Sequence, residues 1–238
     1  MNLDTSKPIF LMSQGPTIGE LSNWMDKFKD LDVYWASYNR FDLVQHLLHD
    51  AGKHLNIVYL YSFGRILETR EDICEFLELG EDRLLVYNTC PHCGFSNSLL
   101  EKDSPVSFIL DKHNTETISS KEAVESGTML HSIVALYGLG FKNFCLFGVD
   151  GNNSLYGYKH YRDEEYIYDI EETNPSGIDE IKNINEREWW HLFQNTQNCK
   201  DEQGYVDEKD ITILNCNKHS LITRFPRIEH KDVVRLYG

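Results

Sequence analysis

From residue 126 to residue 150 the chain reads SGTMLHSIVALYGLGFKNFCLFGVD, and this run dictates the architecture around it. Met129, Ile133, Leu136, Tyr137 and Leu139 recur at three- and four-residue steps, Gly138 and Gly140 close the pattern, and residues 143–149 follow as a short apolar strand. The spacing predicts a helix feeding a buried strand. The helix opens on Ser126, Gly127 and Thr128, whose small side chains and free amides suit an anion at a helix N-terminus. The strand empties into Gly148, Val149 and Asp150, so both features fall near the ligand-binding edge of a parallel sheet.

Upstream, the same alternation repeats. Strands are expected at 8–14 (PIFLMSQ), 33–39 (VYWASYN), 56–62 (NIVYLYS), 83–89 and 106–111, with helices at about 18–28, 42–49 and 66–79. Thr17 with Glu20 three residues on has the form of a capping box. Near-continuous apolar strands alternating with amphipathic helices predict an α/β fold, with a mostly parallel, Rossmann-like sheet covered by helices on both faces. Residues 151–177 are rich in Tyr, Asn, Asp and Glu without apolar periodicity and read as a long lid loop after the central strand. Helical spacing resumes at 178–198, residues 211–215 (ITILN) form a last strand, and the tail is mixed. No repeat or linker divides the chain, so residues 1–238 are read as one nucleotide-binding domain.

Composition narrows the partners. With 238 residues, 41% hydrophobic and 12% aromatic, the chain can bury a full core. Its 38 acidic against 23 basic residues give −15 at neutral pH, which repels nucleic-acid backbones and anionic lipid. No apolar run is long enough to span a bilayer and no signal peptide is legible, so a soluble cytoplasmic protein with reduced thiols is expected.

Several groups invite chemistry, and each has a bland counterpart. Ser13, Gln14, Gly15, Pro16 and Thr17 leave a strand for a helix, where backbone amides meet phosphate in parallel sheets; the same residues also make an ordinary βα turn. Asn39 ends the second strand with a carboxamide able to read a ribose or base edge, or simply to turn the chain. Asp150 can hold a metal, accept a hydroxyl proton or cap a loop. Tyr156, Tyr158, His160, Tyr161 and Arg162 gather phenols, an imidazole and a guanidinium in the lid, with His160 a candidate general base or acid; alternatively they pack as an aromatic loop. Cys90-Pro91-His92-Cys93 matches a redox dithiol or half a zinc knuckle, but without a second pair a structural turn is the simpler reading. No metal ligand set is assigned.

Taken in order, Gly15-Pro16-Thr17, Asn39-Arg40-Phe41, Ser126-Gly127-Thr128, LGFKNFCLFGVD at 139–150 and ILNCNKHSLITRFPRIEH at 213–230 resemble one superfamily. It holds the bacterial CMP-sialic-acid-dependent sialyltransferases, the motility-associated-factor flagellin glycosyltransferases and the archaeal-type 6-hydroxymethylpterin diphosphokinases. The 126–150 run and Phe225–Glu229 carry the likeness most strongly. The resemblance implies a sheet that binds a CMP-sugar or nucleoside diphosphate, with Gly15, Pro16 and Thr17 facing the phosphate and Asn39 the nucleoside. Ser126, Gly127 and Thr128 would take the cytidine or phosphate side, and Asp150 would lie near the reacting centre.

The chain departs from the sialyltransferase pattern in three places. Of two lid tyrosines that assist the departing phosphate, the first aligned position is Asn152 and only the second, Tyr158, is tyrosine. The general-base position holds Glu180, leaving Glu180 or a displaced His160 for that role. An expected Asn before the Gly-Pro-Thr turn is Gln14. The leading expectation is a glycosyltransferase carrying a sugar, sialic-acid-like among the options, from a nucleotide donor to a glycan or protein hydroxyl, with no cofactor required. A pterin-type diphosphokinase would instead need Mg²⁺ and ATP, and a non-catalytic nucleotide- or glycan-binding module is the third option. Partners in glycan assembly would place the protein at the inner face of the membrane, and a homo-oligomer is compatible with each reading.

Overall fold

The computed structural model describes residues 3–60, 72–73, 75–76, 83–88, 117–118, 128–150, 206–218, 220 and 222–238. Among these residues, seven strands form one sheet: β1 (Ile9–Met12), β2 (Tyr34–Tyr38), β3 (Ile57–Leu60), β4 (Leu84–Asn88), β5 (Thr117–Ile118), β6 (Asn143–Phe147) and β7 (Thr212–Asn215). Their order is β5-β4-β3-β2-β1-β6-β7, and every neighbouring pair is parallel. The expected α/β, Rossmann-like class is thus observed. The apolar runs explain the arrangement, because parallel strands are covered on both faces and need apolar side chains at every position.

Alternate residues feed two cores. Phe10 and Met12 point to one face with Phe28, Trp35, Phe41, Val44 and Leu48. Ile9 and Leu11 point to the other with Ile133, Leu136 and Phe144. The first face is covered by a 3₁₀ helix at Pro16–Asn23, α1 (Met25–Phe28), α2 (Asp42–His49) and a C-terminal helix; the second is covered by α3 (Thr128–Gly138). The C-terminal helix, α4 (His230–Tyr237), inserts Val233 fully into the first core.

Strand order reverses between β1 and β6. From β1 the chain builds outward through β2 to β5, then returns to lay β6 and β7 on β1's other side. Loops leaving the carboxyl ends of such a pair create the crevice where parallel α/β sheets bind ligands. Here the two loops are stitched together, with the Ser13 amide donating to the Phe147 carbonyl at 2.8 Å and the Gly15 amide to the Gly148 carbonyl at 3.1 Å.

Several sequence expectations change. The helix expected from residue 18 starts at Pro16 as a 3₁₀ helix, for which Pro is well suited since it has no amide hydrogen to satisfy. The Thr17–Glu20 capping box does not form: Gly15 is the N-cap, no side chain caps it, and the Thr17 hydroxyl goes elsewhere. β6 stops at Phe147 rather than 149 because Gly148 turns the chain at φ +66°. The tail, read as mixed, holds α4, and β5 occupies residues where no strand was expected. The strand expected at 106–111, the helix at 178–198, the lid at 151–177 and the Cys90/Cys93 turn lie outside the described residues.

Candidate functional site

The candidate site is assembled from five chain segments: those leaving the carboxyl ends of β1, β2, β6 and β7, and the start of α3. After β1, Gly15 fits only as glycine: a Cβ there would stand 2.3 Å from the Gly148 carbonyl oxygen and 2.6 Å from Asp150 Oδ2. This close approach presses the first turn against the loop after β6. Asp150 then meets Thr17 across 133 residues of sequence. The Thr17 amide donates to Oδ2 at 3.2 Å and the Thr17 hydroxyl donates to Oδ1. Asn217, just past β7, donates from Nδ2 to the same Oδ1 at 2.5 Å and to the Val149 carbonyl at 3.4 Å. All three residues are buried. An ionised carboxylate only accepts, and three of these contacts, two from Thr17 and one from Asn217, donate to it, as suits the charged form.

A second set joins β1 to β2. Gln14 turns its carboxamide into the fold, donating from Nε2 to the Tyr38 carbonyl at 2.5 Å. The longer side chain, in place of the expected Asn, thus ties two strand ends together. Ser13 Oγ and Tyr38 Oη lie 2.6 Å apart. Burial raises the Tyr38 phenol well above its ordinary value; the Ser13 hydrogen bond opposes this and the negative charge of Asp150 adds to it. Tyr38 is therefore a neutral phenol throughout the physiological range.

Asn39 follows in the left-handed region at φ +44°, a conformation Asn tolerates better than most residues. Its amide donates to the Tyr59 carbonyl at 2.8 Å, and its Nδ2 donates to Thr128 Oγ1 at 3.0 Å, connecting the end of β2 to the first turn of α3. Arg40, the next residue, pairs with the first residue of α2, its Nε and Nη2 each 2.9 Å from the Asp42 carboxylate.

No family model, curated protein or solved structure matches this chain. The site therefore stands on its own geometry.

Of the residues expected from sequence, Gln14, Gly15, Pro16, Thr17, Asn39, Thr128 and Asp150 fall at this edge; hydrogen bonds link Thr17 with Asp150 and Asn39 with Thr128, and Gln14 bonds Tyr38, the residue before Asn39. The Thr17 amide, expected to face a phosphate, is turned onto Asp150. Ser126, Gly127, Asn152, Tyr158, His160 and Glu180 lie outside the described residues. Among the described residues no three His, Cys, Asp or Glu side chains group as a metal site, and no helix is long and apolar enough to cross a membrane. Sequence reasoning gave no role to Tyr38 or Asn217. The one available signal was position, since each is a polar group at or just past the end of a buried strand bordering the reversal.

Proposed function

We propose that this protein is a glycosyltransferase that moves a sugar, in the sialic-acid-like class, from a CMP-type nucleotide donor to a hydroxyl of a glycan or protein. One observation carries the reading furthest. Polar side chains from the ends of β1, β2 and β6 and the start of α3 converge at the sheet's reversal point, where a Rossmann-like sheet presents its ligand edge. The resemblance of those same segments to the sialyltransferase superfamily supplies the donor class.

In that reaction the acceptor oxygen bonds to the anomeric carbon as the bond from that carbon to the CMP phosphate oxygen breaks. The acceptor's proton passes to a base, His160 or Glu180, and the negative charge settles on the departing phosphate. Donors such as Tyr158 and the amides of 126–128 would stabilise it. Asp150, held by Thr17 and Asn217, keeps a fixed negative charge beside the reacting centre. A cytoplasmic location, at the membrane face where acceptor glycans are assembled, goes with this reading.

Thermal stabilisation by CMP, CDP, UDP, GDP and ATP, each with and without Mg²⁺, tests it. We expect CMP to raise the melting midpoint without metal. A shift that appears only with Mg²⁺ and ATP would move the assignment to a diphosphokinase, and no shift with any nucleotide would remove both enzymes, leaving a glycan-binding module.

A further inference from the structure

We propose that Ser13 and Tyr38 form a relay that donates one hydrogen bond to a phosphate oxygen of the bound nucleotide, with Ser13 Oγ as the atom in contact. The proposal rests on the nucleotide reading above and adds a binding group that reading does not contain.

The argument is a count of hydrogens. Two hydroxyls carry two donor hydrogens, and the 2.6 Å contact between them consumes only one. Among the described residues neither hydroxyl has another partner. Tyr38 is buried, whereas Ser13 is only partly so. A buried hydrogen left unmet is costly, so the arrangement consistent with burial has Tyr38 donating to Ser13 and Ser13 donating outward. Tyr38 can sustain this because its phenol stays protonated. A donor that is itself receiving a hydrogen bond is polarised and becomes the stronger donor.

Position selects the acceptor. Ser13 is the first residue beyond β1, its amide fixed to Phe147 of β6, so its hydroxyl stands at the reversal point on the α3 side of the sheet. Phosphates of a nucleotide approach this edge in Rossmann-like sheets, and an anionic oxygen makes the stronger bond to a neutral hydroxyl. The turn onto Asp150 that occupies the Thr17 amide gives this hydroxyl added weight.

The test compares wild type, Ser13→Ala and Tyr38→Phe by calorimetric titration with CMP and cytidine, and with ATP and adenosine in parallel. Ser13→Ala should weaken nucleotide binding about tenfold while leaving nucleoside binding unchanged. Tyr38→Phe, which removes only the polarising partner, should cost about threefold on the same ratio. Wild-type nucleotide affinity in Ser13→Ala, or equal losses for nucleotide and nucleoside, would overturn the relay while the functional reading stood. Failure of the wild type to bind any nucleotide would overturn both. Should Ser13→Ala not fold, an unchanged nucleotide-to-nucleoside ratio in Tyr38→Phe overturns the relay by itself.

Discussion

Asp150 concentrates the physics of this edge: a buried carboxylate whose oxygens receive Thr17 and Asn217. Removing one donor leaves a buried charge short of a partner, which costs more than the mean worth of a hydrogen bond. Thr17→Val, close to isosteric, should therefore lower unfolding stability by about 1–3 kcal/mol. Asp150→Asn should cost more than Thr17→Val, because its amide hydrogens would confront the Thr17 amide or Asn217 Nδ2 across the same short contacts. Urea denaturation of the two variants checks both statements, and equal or reversed losses would show that the carboxylate is not what Thr17 serves. Asp150 was legible in the sequence as the polar residue closing an apolar strand. Its partners were not: one lies 133 residues away, and the local Thr17–Glu20 pattern pointed to a cap that tertiary contact displaced.

At the scale of elements, α4 shows how a helix can escape sequence reading. Between His230 and Tyr237 only Val233 is fully buried, with Val234 and Tyr237 packing beside the core, while Lys231, Asp232 and Arg235 are charged and Leu236 is exposed. So sparse an apolar stripe is hard to separate from a polar tail. What seats the helix is its first residue: the His230 ring lies 5.7 Å from Trp24 and 6.0 Å from Phe28, nearly parallel to both, and 5.8 Å from Phe147. Burial lowers the His230 pKa, Glu20 opposes this, and the Lys218 charge reinforces it. The unfolded chain therefore binds a proton more readily than the folded one. This contribution is complete above the unfolded value of 6.5 and is lost as pH falls from there through the lower folded value. His230→Phe should keep the aromatic packing and remove the titration. The stability difference between wild type and variant should shift against wild type as pH drops from about 7 to about 5. A pH-independent difference in urea midpoints would refute the assignment. By contrast α2 matched its expected limits, since Val44, Leu47 and Leu48 make a regular stripe within one helix.

At the scale of the molecule, the described residues bury both faces of the sheet, and the buried thiols report on that. Cys145 and Cys216 both sit in the core beneath the α4 side, on the neighbouring strand β6 and just beyond β7. Burial, and then the neighbouring Cys145 side chain, push the Cys216 thiol far up, so neither packing nor ionisation favours its reaction. Of the six cysteines in the chain, these two should resist a thiol reagent until global unfolding. Peptide mass spectrometry after timed labelling reads this directly. Labelling of Cys145 or Cys216 at a rate independent of urea below the transition would mean that this face opens locally.

The sequence by itself determined the layered α/β arrangement, because uninterrupted apolar runs of strand length can be satisfied only when both faces of a sheet are covered. It also marked the edge at which Gly15, Asn39 and Asp150 gather, since each stands where an apolar strand gives out. Tertiary structure alone decided who meets whom there. Strand order placed the end of β1 beside the ends of both β6 and β2; glycines let the loops after β1 and β6 close to hydrogen-bonding distance and turned Thr17 toward Asp150, while the β1–β2 pairing set Ser13 beside Tyr38. Periodicity reports which side of an element is buried, but pairing between distant segments follows from how the strands are ordered, and no local pattern encodes that order.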